Sequence, residues 1–203
     1  MFIIPGGFME EYPKKVKLKN GTQATLRLLE KKDLNLLIRF FQSLPLEDRL
    51  YLRSDVMDKE NILKRFGKLD YRFIYPVIAF LNQEIIAIGT LFRAEFGWMR
   101  NLGEIRCVVA REHQRQGLCT ILVRELFLYA VSTDLFKIQA EIMEDQESAI
   151  TAFHRMGFEQ EAVLKKHVTD INGKRRNLVI MNLDIEDLWS LLEDFTYGKT
   201  YII

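Results

Sequence analysis

Apolar positions recur along the chain with two periods, two residues in some stretches and three to four in others, and the changes of period mark out its elements. Val16-Lys17-Leu18-Lys19 leads into Asn20-Gly21 and then Thr22 to Leu28, which predicts a hairpin whose Asn-Gly pair supplies the two positive-φ residues of a type I′ turn. From Asp33 the spacing of Leu34, Leu37, Ile38 and Phe41 predicts a helix with one buried face. Ser43 to Val56 reads as a loop or short helix. Asp58 then caps a second helix through Ile62, Leu63 and Phe66 that stops at Gly67. Tyr75 to Phe80 and Ile85 to Phe92, rich in β-branched and aromatic residues, predict a second hairpin about Leu81-Asn82-Gln83-Glu84, and Glu104 to Val109 a further strand. The stripe Leu118, Ile121, Leu122, Leu126 and Tyr129 predicts a helix over 117–132, and Lys137 to Met143 a strand. A helix over Gln146 to Met156 ends at Gly157, and strands at Phe158 to Thr169 and Leu178 to Leu183 flank Asn172-Gly173. An amphipathic segment, Ile185 to Phe195, closes the chain.

This order of elements is an α+β arrangement without internal repeats or a Pro/Ser-rich linker, so the expectation is a single domain over 1–203, with 185–203 as a C-terminal helical extension. With 29 Lys plus Arg against 28 Asp plus Glu, the net charge of +1 gives no overall pull toward nucleic acid or an anionic membrane. Cys107 and Cys119 lie in different predicted elements without metal-ligand spacing, which fits a reduced, cytoplasmic setting. Neither a signal-peptide pattern nor a membrane-span pattern is present.

The stretch Val108-Val109-Ala110-Arg111-Glu112-His113-Gln114-Arg115-Gln116-Gly117-Leu118-Cys119 carries a buried strand through a polar turn into a helix. Unpaired N–H groups at such a helix start attract phosphate, and a glycine there lets a ligand approach the backbone. It is neither a G-x-G-x-x-G motif nor a P-loop. Gln114-Arg115-Gln116-Gly117-Leu118-Cys119 resembles the signature of the GNAT N-acetyltransferase superfamily, in which Arg or Gln is followed by two residues, Gly, one residue, and Gly or Ala. The preceding Glu104-Ile105-Arg106-Cys107-Val108-Val109 is similar to that family's fourth strand. Glu141-Ile142 through Ala149-Ile150, Phe153 and Gly157-Phe158 are similar to its fifth strand and the helix after it. The resemblance implies a mixed, mostly antiparallel twisted sheet flanked by helices and splayed between those two strands. It implies acetyl-CoA as co-substrate, without a metal. The pantetheine arm would lie against the backbone of Cys107, Val108 and Val109, and the pyrophosphate on the amides of Gln114, Arg115, Gln116, Gly117, Leu118, Cys119 and Thr120. Gln146 stands where the family often has Asn beside that arm, and Cys119 where it has Gly or Ala.

Acetyl transfer to an amine needs the neutral nucleophile, and an ammonium of pKa about 10.4 must lose its proton to a nearby base. The resemblance makes Glu104 the first candidate and Glu141 the second; the competing reading for either is a strand-edge carboxylate that faces solvent or pairs with Arg106. A strand N–H near Val109 would hold the oxyanion. Phe153 replaces the tyrosine that in many members protonates the departing thiolate. His113, His154 and His167 lack partners at ligand spacing. Phe40, Phe41, Phe66, Phe73 and Phe80 fit a core, and Lys174-Arg175-Arg176 a solvated basic loop.

The functional expectation is therefore an N-acetyltransferase acting on a primary amine, small molecule or protein lysine, through direct attack in a ternary complex. The lysine preference rests on Leu26-Arg27, Lys32-Asp33 and Phe40-Phe41-Gln42-Ser43-Leu44, which are similar to the opening of protein-lysine acetyltransferase domains. The alternative, motivated by Phe153 and Cys119, is an acyl-CoA-sensing or partner-binding domain with little catalysis. Neither nucleic acid nor membrane is expected as a partner, and a homodimer is left open.

Overall fold

The computed structural model describes residues 12–185, so the segment from Glu186 onward, with most of the expected extension, lies outside the described residues. Eight strands form one mixed sheet: β1 (Lys14–Lys17), β2 (Gln23–Leu28), β3 (Ile74–Leu81), β4 (Glu84–Arg93), β5 (Leu102–Val109), β6 (Lys137–Met143), β7 (Glu159–Thr169) and β8 (Arg175–Asp184). Their spatial order is β1-β2-β3-β4-β5-β6-β8-β7. Every neighbouring pair is antiparallel except β5 with β6. Among the described residues, five α-helices accompany the sheet: α1 (Leu34–Ser43), α2 (Leu46–Arg49), α3 (Lys59–Phe66), α4 (Leu118–Val131) and α5 (Glu147–Arg155).

Two expectations about turns are corrected. In the β1–β2 hairpin only Gly21 has a positive φ, +88°, so the turn is not type I′. Gly21 N–H donates to Leu18 O at 2.9 Å, Leu18 N–H to Thr22 O at 2.8 Å, and Asn20 Oδ1 accepts from Thr22 N–H at 3.0 Å. The extra residue makes a longer turn that closes on a left-handed glycine. Two successive positive φ values, 47° at Asn82 and 65° at Gln83, occur instead in the β3–β4 hairpin, although neither residue is glycine. The basic loop before β8 is likewise not simply solvated. Asp170, only 6% exposed, accepts from the N–H groups of Asn172 and Lys174 and from Arg176 Nε, and Arg176 also reaches Asp145 at 2.9 Å.

Strand alternation separates two cores. On one face Val77, Ala79, Ala87, Leu91 and Ile105 pack with Leu118, Leu122 and Leu126 of α4. Gly89 permits that approach: a Cβ there would come 3.0 Å from Leu122 Cβ and 3.2 Å from Leu126 Cδ1. On the opposite face Ile78, Ile85 and Ile88 pack with Leu37, Phe40 and Phe41 of α1 and Ile62 and Phe66 of α3. The expected core aromatics Phe40, Phe41 and Phe66 are buried, while Phe73 and Phe80 are half-buried. The short α2 and the loop after it lie over the edge of this second face, where β5 and β6 meet.

Candidate active site

β5 and β6 pair only over their first three residues. Their parallel pairing joins Leu102, Gly103 and Glu104 to Lys137, Ile138 and Gln139, yet β5 continues to Val109 and β6 to Met143. Beyond the last pair the strands line a cavity of about 230 Å³, with Cys107, Val108 and Val109 on one side and Ala140, Glu141 and Ile142 on the other. The β4–β5 ladder fixes which backbone groups face that gap. Ala110 N–H bonds to Ile86 O, so in the antiparallel alternation Val108 is turned to Ile88 of β4. Cys107 and Val109 therefore present their N–H and C=O groups to the gap, although Val109 O already accepts from Gln114 Nε2 at 3.2 Å.

The far end of the gap opens on the turn into α4. Gly117 is the residue before the helix and has φ +90°; Arg115, at φ +60°, is a second left-handed residue two positions earlier. Gln114 N–H is spent on Arg111 O and Ile121 N–H on Gly117 O, whereas among the described residues the N–H groups from Arg115 to Thr120 have no hydrogen-bond acceptor. Gln116 Oε1 is buried and also lacks a partner. These unspent donors run from Arg115 through the stretch expected at Gln114 to Thr120, and the Gln114 amide is not among them. Lys19, which the sequence did not single out, adjoins this turn: its N–H donates to Gln116 O at 3.2 Å, and its side chain runs past Gly117. Gln146 lines the cavity as the N-cap of α5, and Phe153 forms its floor, 6% exposed and edge-on to Phe158 with ring centroids 5.0 Å apart.

On the face covered by α2 and α3, alternation brings Glu104 and Arg106 of β5 beside Gln139 and Glu141 of β6. The expected pair of Glu104 with Arg106 is present, with Arg106 Nε donating to Glu104 Oε1 at 2.7 Å and an Nη to Oε2 at 3.2 Å. Arg53, from the loop between α2 and α3, adds a bond that no periodicity announced. It lies 3.1 Å from Glu104 Oε1 and also donates to Glu141 Oε2, whose other oxygen accepts from Gln139 Nε2 at 2.9 Å. Glu141 lines the cavity, and Glu104 stands just behind Arg53 and Arg106.

Cys107 and Cys119 occupy the other face, where β5 meets α4, and both are free thiols. The two thiols act on each other: the influence of Cys119, together with burial, pushes the Cys107 thiol well up, and Cys107 draws the Cys119 thiol down against the effect of burial. Among the described residues no group of three or more His, Cys, Asp or Glu could hold a metal ion, and His113, His154 and His167 stand apart. No helix there is long and apolar enough to cross a membrane.

The sequence profile of the Acetyltransferase (GNAT) family matches residues 38–158, more than half of the chain. The chain belongs to this family. It is an acetyltransferase by that membership, and solved structures carry the same fold at low identity. The GNAT domain of PAT from S. lividans is 20% identical, with a TM-score of 0.71 over 86% of this chain and 99% of that one. The protein yncA from Salmonella typhimurium, whose structure holds its cofactor acetyl-CoA, is 18% identical, with a TM-score of 0.69 over 81% and 95%. A spermidine N-acetyltransferase chimera built from Vibrio cholerae SpeG and hSSAT is 20% identical, with a TM-score of 0.65 over 83% and 99%. No curated protein sequence matches significantly.

Proposed function

We propose that this GNAT protein transfers an acetyl group from acetyl-CoA to a primary amine by direct attack in a ternary complex. The observation that supports it most is the unfinished ladder between β5 and β6, an open strand edge that runs into a set of free amides. A pantetheine arm carries amide donors and acceptors that Cys107 and Val109 can satisfy, and a pyrophosphate suits the N–H groups from Arg115 to Thr120. The bound cofactor supplies an acetyl thioester; the protein's part is to position it, exclude water and remove the amine's proton. Val109 N–H, which faces the gap, is the donor suited to the developing oxyanion.

Glu104 is the base in this reading. Its Oε1 takes the two shorter bonds, from Arg106 and Arg53, while Oε2 has a single contact at 3.2 Å and retains a lone pair for a proton, directly or through one water. Glu141 then orients Arg53. The opening segment that resembles protein-lysine acetyltransferase domains is spent on structure. Arg27 donates to both oxygens of buried Asp33, and Phe40 and Phe41 are core, so the acceptor has to be read from the cavity.

Initial velocities measured with both substrates varied test this reading. Intersecting lines are expected for a ternary complex, whereas parallel lines, with an acetylated protein intermediate trapped by acid quench, would overturn it.

A further inference from the structure

The mouth of the cavity continues outward between α3 and β4, past Phe92, Arg65, Arg106 and Lys64. Three guanidinium groups meet here. Arg106 uses Nε and one Nη on Glu104, which leaves its other Nη without a bond among the described residues, and Arg53 is spent on Glu104 and Glu141. The remaining nearby carboxylate, Asp48, is held by Arg111 at 2.8 Å. Arg65 is left over: half-buried, it makes no ion pair or hydrogen bond among the described residues. Its guanidinium lies 5.8 Å from the Phe92 ring centroid, and that of Arg106 lies 4.7 Å from the same ring.

Arg53, Arg65 and Arg106 against Glu104 and Glu141 leave an uncompensated positive charge beside the proposed base, and Lys64 adds a second at the rim. Burial and the charge of Arg106 pull the Arg65 guanidinium below its ordinary range, with Glu104 partly opposing and Arg53 adding to the pull. A protonated amine gains nothing from such surroundings, whereas a planar anion gains two fork-shaped donors on an apolar ring. Arg106 and Arg53 both act on Arg65 as like charges, a repulsion that a bound anion would relieve.

We infer that the amine acceptor carries a carboxylate, which Arg65 binds beside Phe92 while the amine reaches Glu104. The acceptor class is thus small aminocarboxylates rather than polyamines. This rests on the acetyl-transfer reading above and narrows its substrate. Arg65 is the specificity-determining residue, and Arg106 serves both the base and the anion.

The test pairs each aminocarboxylate with its own primary amide: glycine, 4-aminobutyrate, 6-aminohexanoate and L-glutamate. Thiol release from acetyl-CoA is followed for the native protein and Arg65→Gln. For at least one pair the acid is expected to exceed its amide at least about tenfold in kcat/KM, a preference that shrinks to about threefold or less in Arg65→Gln through a rise in KM. The acetyl-CoA KM stays unchanged. Amides or 1,6-diaminohexane turned over as well as the acids, or an equal loss for both in the variant, would overturn the inference while leaving acetyl transfer intact. A second measurement needs no turnover: the Arg65 Nε–H NMR signal is titrated with N-acetyl-4-aminobutyrate, N-acetyl-6-aminohexanoate and N-acetyl-L-glutamate. A saturable shift supports the anion site even if no acceptor is acetylated, which would place the failure in the acetyl-transfer reading. No shift with any of the three overturns the site.

Discussion

Arg53 ties Glu104 to Glu141: one of its terminal nitrogens lies 3.1 Å from Glu104 Oε1, and the other donates to Glu141 Oε2. The two carboxylates thus share one cation beyond the last β5–β6 pair, and the proposal gives them unequal roles. Glu104→Gln keeps the size of the side chain but turns one acceptor oxygen into an amide donor and cannot take a proton, so kcat is expected to fall by about 10²–10⁴-fold with the acetyl-CoA KM little changed. Glu141→Gln should lower kcat less than about tenfold. Steady-state kinetics of both variants checks the assignment, and a reversed order would move the base to Glu141.

Gly117→Ala separates backbone strain from crowding. A Cβ at Gly117 would have its nearest neighbour at 3.8 Å, the Lys19 side chain, so space is ample, but φ of +90° disfavours any L side chain. A stability loss of about 1–2 kcal/mol is expected from denaturant titration. The acetyl-CoA KM should rise as the cradle amides shift.

The Arg27–Asp33 pair fixes the start of α1. Asp33 is 2% exposed, and its burial favours the neutral acid, yet the Arg27 hydrogen bonds and the N–H of Glu30 win and hold its carboxyl below the ordinary range. A depressed folded pKa stabilises the fold above the unfolded value of about 3.9, and that stabilisation disappears as pH falls through the folded value. Arg27→Met strands a buried carboxylate and should cost about 3–5 kcal/mol at pH 7. Urea titrations at pH 7 and near pH 3 should show the gap between native and variant proteins narrowing with acid; a constant gap would contradict the account.

Phe153→Tyr places a phenol near the floor of the cavity. A thiol of pKa about 8.5 is already a fair leaving group, so the added donor should change kcat at pH 8 by less than about threefold. A much larger rise would show that protonation of the thiolate limits the native enzyme.

Cys119→Ala restores a residue that the family signature uses at this position. The thiol packs against the same core as Cys107 of β5, so the acetyl-CoA KM should change by less than about threefold. Cys107, held protonated by burial and by its contact with Cys119, should resist alkylation at neutral pH in the native protein, as mass spectrometry after iodoacetamide treatment would report.

The strand-turn-helix around Gly117 was legible in the sequence because its features are local: a strand of β-branched residues, a polar turn, a glycine and an apolar helical stripe within a few residues. The helix at Asp58 was legible for the same reason, and Asp58 does accept from Glu60 N–H at 2.9 Å. Arg53 and Arg65 were not. They come from the loop between α2 and α3 and from α3 itself, and their meaning lies in meeting β5 and β6 across the chain fold, which no period encodes. The Cys107–Cys119 contact was hidden similarly, since it depends on α4 seating against β4 at Gly89. The turn at Asn20-Gly21 misled because Asn-Gly suits a type I′ turn and a longer glycine-closed turn alike; the pairing register decides between them.

The central claim is tested most directly by thiol release from acetyl-CoA in the presence of amine acceptors, with cofactor binding followed by thermal shift in the same samples. The account predicts that acetyl-CoA raises Tm and that thiol appears only with an acceptor, one per acetylated amine. Absence of both stabilisation and release would contradict the cofactor site, and stabilisation without release from any acceptor would favour a domain that senses acyl-CoA and does not turn it over.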